Sequence, residues 1–214
     1  MKGNIVVSKN AYPELIDYLK GKGFSVGLFG PAAGVAEPIS CHPDILYCSL
    51  KKGHVYKGDE RLLGPEYPED VRYNACSTGK YFIHDLRYTD PDLLKEAEAL
   101  GLIKVRVRQG YSKCSVIPVD EDSIITYDRG IGKAALDMGL NVLLIRPGYV
   151  DLPGMNTGFI GGTSGRVGDE IVFNGDLSSH PDFLAMEGFI RERGLKVKYF
   201  EGLPLTDIGS VIEL

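Results

Sequence analysis

No run of lysine or arginine longer than two residues occurs in the chain, and the formal net charge of its 214 residues is -5. Neutralising a polyanion needs a basic face, so nucleic acid is not an expected partner. Long apolar runs are also missing, and none approaches the length needed to span a bilayer. The opening MKGNIVVSKN has no apolar core and no small-residue cleavage site, so it does not read as a secretory leader. A soluble cytoplasmic protein without membrane contact is the expectation. Cysteine is sparse: Cys41, Cys48, Cys76 and Cys114 form no C-x-x-C pair, and reduced thiols are expected in that compartment.

What the chain does have is a repeat. "GFSVGLFG" (23–30), "GLIKVRVRQG" (101–110), "GLNVLLIRPG" (139–148) and "GLKVKYFEG" (194–202) each open on Gly plus an apolar residue, continue with strand-forming residues and stop at Gly. Each follows an amphipathic segment. Leu15, Ile16 and Leu19 keep helical spacing, as do Leu93, Leu94, Ala97 and Leu100. So do Ile131, Ala134, Ala135 and Met138, and so do Phe183, Leu184, Met186, Phe189 and Ile190. Three of these segments open on proline and an acid: Pro13-Glu14, Pro91-Asp92 and Pro181-Asp182. Proline suits the first helical position, where its missing N–H would be unpaired anyway, and the acid meets the positive end of the helix dipole. Glycine after the helix is a common left-handed stop.

A further strand is expected before each helix, at 4–7, 80–84, 123–126 and 170–174. Residues 45–50 and 54–56 read as a hairpin. The post-helix glycines Gly23, Gly101, Gly139 and Gly194 are unevenly spaced, the first interval being about two units wide, and the mean is about 43 residues per unit, in the range of repeat folds. Five strand–helix–strand units follow, the second (around 41–80) without its helix. They are expected to form one domain, 1–214, built as a five-fold pseudo-symmetric α/β propeller with one degenerate unit. Such closure removes sheet edges. A doubly wound open sheet is the competing architecture.

In a closed array, equivalent loops gather at one mouth. Segments 31–44, 111–115, 149–165 and 203–210, with 70–79 from the degenerate unit, carry the polar residues a small-molecule site needs. Candidate catalytic residues are Cys114, His42 and Asp44. The Lys113 ammonium beside Cys114 is expected to favour the thiolate, the nucleophilic form. Candidate ligand contacts are Asn74, Asn156, Thr163, Ser164, Asp176, Asp207 and Ser210. A metal site drawn from Cys41, His42, Cys76, Cys114 and His180 lacks ligand spacing, and no metal or cofactor is expected. His180 reads as a helix cap, Asp176 as a turn residue or a carboxylate at the mouth, His84 as part of a connector and His54 as solvent-facing.

The run "GFIGGTSG" (158–165) has the composition of a phosphate cradle. A strand, "GDEIVF", follows it rather than a helix, and no Lys-Ser/Thr completes a P-loop. Its glycines are expected instead to let backbone pass close to a central site.

Several stretches carry a resemblance: "HPD" (42–44), "YPEDVRYNA" (67–75), "QGYSKCS" (109–115), "IRPGYVDLPGMNTGFIGGTSG" (145–165), "NGDLSSHPD" (174–182) and "DIGS" (207–210). They resemble a bacterial family without an assigned activity that is placed near the pentein fold. That fold belongs to the guanidino-group-modifying enzymes, among them arginine deiminase, agmatine deiminase and the amidinotransferases. The resemblance implies a central pocket for a small, cationic guanidino or amino-acid-like compound. In those enzymes a cysteine thiolate attacks the guanidinium carbon, a histidine moves protons and carboxylates hold the nitrogens. Their nucleophile lies in the last unit, where this chain has Gly209-Ser210 and where no cysteine follows Cys114. Two readings stay open: an amidinohydrolase or amidinotransferase relative, and a non-catalytic ligand-binding or interaction protein of the same fold.

Overall fold

The computed structural model describes residues 2–214. Five small sheets organise them, and four share one order. In the first, β1 (Asn4–Ser8) is central, with β2 (Ser25–Phe29) parallel on one side and β14 (Ile212–Glu213) antiparallel on the other. The second sheet is only the antiparallel hairpin of β3 (Tyr47–Lys51) and β4 (His54–Lys57). The third is β5 (Cys76–Ser77), β6 (Tyr81–His84) and β7 (Ile103–Arg106). The fourth is β8 (Val116–Asp120), β9 (Ser123–Thr126) and β10 (Asn141–Leu144). The fifth is β11 (Ser164–Val167), β12 (Glu170–Phe173) and β13 (Lys196–Lys198). The single open sheet of the competing architecture is thereby excluded.

Each three-stranded sheet has a helix between its two parallel strands, as a parallel crossover requires. These are α1 (Pro13–Gly21), α2 (Pro91–Ala99), α4 (Arg129–Asp137) and α5 (Phe183–Arg191); α3 (Ser112–Ser115) is a single turn between the third and fourth sheets. Every long helix buries one pair four residues apart: Leu15 and Leu19, Leu93 and Ala97, Ile131 and Ala135, Met186 and Ile190. That spacing stacks two side chains on one helix face. Each pair joins a core cluster with its own central strand, as Leu15 and Leu19 do with Ile5 and Val7. Burial of one such leucine contributes about 1.5–3 kcal/mol. The central strands β6, β9 and β12 are buried at every position, which suits their apolar stretches at 81–83, 124–125 and 171–173.

Helix starts differ in one respect from the sequence pattern. Pro13 and Pro91 occupy first-turn positions, but Pro181 precedes α5, whose cap position is Asp182. The α4 start is set instead by Asp128, whose carboxylate accepts from the Ile131 N–H at 2.9 Å. The short strands β5, β11 and β14, each antiparallel to a central strand, were not legible as separate elements. The five strands β14, β3, β5, β8 and β11 are neighbours in that order, and β11 again touches β14. No helix among the described residues is long and apolar enough to cross a membrane.

Candidate functional site

The loops that join the sheets bring a set of polar side chains into the interior. His42 is extended, and Pro43 starts a short 3-10 turn, Pro43–Ile45, that carries Asp44 inward. The Asp44 N–H donates to the Gly209 carbonyl at 3.2 Å, which ties this turn to the C-terminal segment. His42, Asp44, Asn74, Cys114, Asp207 and Ser210 are all buried.

Asn74 is the connector of the cluster. Its Oδ1 accepts from the backbone N–H groups of Lys113 at 3.0 Å and Cys114 at 3.2 Å. Its Nδ2 donates to the Asp44 carbonyl at 3.2 Å and to Cys114 Sγ at 3.2 Å. Both amide protons are therefore used. One side chain thus fixes the 42–44 turn and the start of α3 together.

Asp44 Oδ2 accepts from the Cys114 thiol at 3.2 Å and from the Ser210 hydroxyl at 2.7 Å. Asp44 Oδ1 is buried and has no hydrogen-bond partner among the described residues. Ser210 adopts a left-handed backbone, φ 75°, unusual for a residue with a side chain. Its Oγ accepts from Lys113 Nζ at 2.8 Å, and the same ammonium donates to the Gly161 carbonyl at 3.2 Å. Asp207 accepts from the Gly209 N–H at 3.0 Å and the Phe159 N–H at 2.9 Å, and its Oδ1 lies 3.7 Å from His42 Nδ1. One donor atom each from His42, Asp44 and Cys114 falls within 4.8 Å of the others.

The electrostatics differ from the sequence expectation. Burial pushes the Cys114 thiol well up, and the Asp44 and Asp207 carboxylates push it further. Lys113 does not offset this, because its ammonium is aimed at Ser210 and Gly161. The resting side chain is the thiol, its S–H donated to Asp44 Oδ2. Burial also raises Asp207, with His42 acting the other way and Asp44 reinforcing it.

The glycine-rich run is explained by close approach. A Cβ on Gly162 would fall on the Asp207 carboxylate, one on Gly161 on the carbonyls of Lys113 and Val116, and one on Gly209 on His42. The Gly162 carbonyl accepts from the Ile208 N–H at 3.0 Å and the Ser210 N–H at 2.8 Å. The run therefore seats the C-terminal segment against α3.

Six of the ten predicted residues come together: His42, Asp44, Asn74, Cys114, Asp207 and Ser210. Thr163 and Ser164 flank them. The Thr163 hydroxyl is spent on the Ile160 carbonyl at 2.7 Å, and the buried Ser164 Oγ has no partner among the described residues. Asn156 is exposed and stands apart. Asp176 is a turn residue, accepting from the Ser178 N–H at 2.9 Å and the Gly202 N–H at 3.1 Å. His180 does not cap α5, whose cap position is Asp182; its Nδ1 accepts from the Asp182 N–H at 3.0 Å in the turn before the helix. His84 is not a loose connector: it is buried between Thr89 and the Gly110 carbonyl. Cys76 lies in β5, its thiol pushed up to about 12 by burial. Lys113 was missed as a member through its ammonium, since nothing in local sequence tells where a long side chain ends, whereas the close approach at Gly161 agrees with the expectation for the glycine run. Two open surface grooves occur, one lined by Asp120, Arg166 and Arg193, the other by Glu14, Arg191 and Tyr199, and neither reaches these residues.

The chain is thus a mixed α/β protein of five small sheets with a buried carboxylate, imidazole and thiol cluster contributed by the connecting loops. Residues 54–212 match a family of unknown function (DUF6873), and the chain belongs to that family. No curated protein and no solved structure matches it.

Proposed function

We propose that this chain is a pentein-like protein whose central polar cluster binds a small guanidino or amino-acid-like compound. The repeated sheet order and the cyclic neighbour order of β14, β3, β5, β8 and β11 support a five-fold α/β propeller. The observation that carries the binding reading is Asp44. A fully buried carboxylate keeps one oxygen for two internal donors and leaves Oδ1 without one. An unpaired buried acceptor is costly, and an N–H of a cationic compound satisfies it.

A thermal-shift panel of arginine, agmatine, ornithine and related amino acids tests the reading. A compound at one hundred times its Kd adds about 2.7 kcal/mol of stability, and Asp44→Asn abolishes the shift. A flat panel for the wild-type protein counts against binding of this class.

A second reading is an enzyme with Cys114 as nucleophile. It is favoured by the Asn74 amide aimed at Sγ at 3.2 Å, a donor able to stabilise a thiolate once formed. Citrulline or ornithine formed from arginine, or carbamoylputrescine or putrescine formed from agmatine, and lost in Cys114→Ser, is the expected result; no product from any panel compound rejects it.

A further inference from the structure

We propose that His42, Asp44 and Cys114 form a binding site for one divalent transition metal ion, zinc being the best match to the donor set. The inference rests on reading the cluster as a binding site and names an occupant for it.

The first argument is the donor set. Imidazole nitrogen, carboxylate oxygen and thiolate sulfur are the ligands zinc takes, and three protein ligands with one open position is a common catalytic arrangement. The three donor atoms lie within 4.8 Å of one another and all three residues are buried. Tetrahedral zinc bonds of about 2.0–2.3 Å place ligand atoms about 3.3–3.8 Å apart. The contraction required is small, and side-chain rotation supplies it.

The second argument is a separate observation, the hydrogen bonding of Asp44. Asp44 Oδ1 is an unpartnered carboxylate oxygen among the described residues, on a residue with no exposed surface. Its other oxygen is already oriented by Ser210. The free oxygen is thus the one left to meet a cation.

The third argument is the surrounding shell. Metal-bound histidines usually donate their second ring N–H to a carboxylate, which fixes the tautomer. Asp207 Oδ1 stands 3.7 Å from His42 Nδ1, beyond hydrogen-bond length, and a closing movement of less than about 1 Å would make that bond and leave Nε2 for the metal. Asn74 Nδ2 donates to Cys114 Sγ, as a stabiliser of a bound thiolate does. The charge count closes as well. Thiolate and Asp44 neutralise a divalent ion, and the flanking charges are Asp207 and the Lys113 ammonium, of opposite sign. The Cys114 thiol proton, directed at Asp44 in the resting state, leaves to solvent when the metal binds, as thiol ligation requires. The fourth position remains for water or for an amine or carboxylate of a small molecule.

The test is cobalt substitution in the full-length protein. Chelator-treated protein is titrated with Co²⁺ and the absorption spectrum recorded. About one equivalent is expected to bind, with a sulfur-to-cobalt charge-transfer band in the near ultraviolet and visible bands of tetrahedral geometry. Zinc displaces the cobalt and bleaches both. The wild-type spectrum alone decides, so the result does not depend on any variant folding: saturation without a charge-transfer band overturns the proposal, as does the absence of binding. Cys114→Ser removes the charge-transfer band while Cys48→Ala keeps it, and the reverse pattern also overturns it. Asp207→Asn weakens metal affinity about 10–100-fold without changing the band positions. The thermal-shift panel, run on zinc-loaded and chelator-treated protein, separates the two readings. Stabilisation by a guanidino compound without metal binding keeps the ligand reading and removes the metal. Metal binding with a flat panel keeps the metal and removes the guanidino ligand.

Discussion

Cys114 Sγ lies 3.2 Å from Asp44 Oδ2, joining positions 70 residues apart in the chain through a thiol–carboxylate hydrogen bond. The bond keeps the proton on sulfur. Burial and the two neighbouring carboxylates act in the same direction. Alkylation with iodoacetamide is therefore expected to be slow at pH 7, no faster at Cys114 than at buried Cys48. The rate should keep rising through pH 9, and Asp44→Asn should raise it, because a charge opposing the thiolate is gone. A rate plateau near neutral pH would show a thiolate already present and contradict this account.

Asn74 makes four side-chain hydrogen bonds that join the 42–44 turn to α3. Asn74→Ala leaves the buried Cys114 N–H and Asp44 carbonyl without their side-chain partner, while the Lys113 N–H keeps the Asn74 backbone carbonyl at 3.0 Å. Each unsatisfied group costs about 1–3 kcal/mol, so a loss of about 3 kcal/mol in urea unfolding is expected. Asn156→Ala, on the exposed loop, should stay within about 0.5 kcal/mol. Similar values for the two variants would remove Asn74 from its role as connector.

Ser210 holds φ at 75°. A left-handed backbone costs a non-glycine residue about 1–2 kcal/mol. Ser210→Ala and Ser210→Gly both delete the hydroxyl that Lys113 and Asp44 share, but only glycine relieves the backbone. The glycine variant should be the more stable of the two by about 1 kcal/mol after its extra chain entropy is counted. Equal urea midpoints would mean that Ser210 is not strained.

His84 supplies a pH dependence. Burial lowers its pKa from 6.5 to about 4. The unfolded chain then takes up a proton that the folded state refuses, so stability falls as pH drops below 6.5 toward 4. Linkage gives a loss of about 2 kcal/mol between pH 7 and pH 5. The raised carboxyl of Asp207 acts with the opposite sign, favouring the fold as pH falls. Comparing His84→Gln with wild type isolates the histidine: the variant should lose that decrement, and an unchanged pH slope would refute the assignment.

The amino-acid sequence by itself determined the repeating unit. Apolar pairs four apart, acidic and proline-rich helix starts and glycine stops are local signals, and each acts within one turn or one strand. Leu15 with Leu19, or Met186 with Ile190, needs no distant partner to declare a buried helix face. Even the missing helix of the second unit was legible, from the double interval between Gly23 and Gly101. The loops also declared that they carried chemistry, since His42, Asp44, Asn74, Cys114, Asp207 and Ser210 stood out by residue type.

Only the tertiary structure decided what those side chains do to one another. Lys113 was expected to help ionise Cys114, yet its flexible stem carries the ammonium to Ser210 and Gly161. Asp207 meets His42 because Gly162 and Gly209 leave room for them, a space relation between segments far apart in sequence. Whether Cys114 is a thiol or a thiolate depends on burial and on charges from residues 44 and 207, and these exist only once the loops have come together.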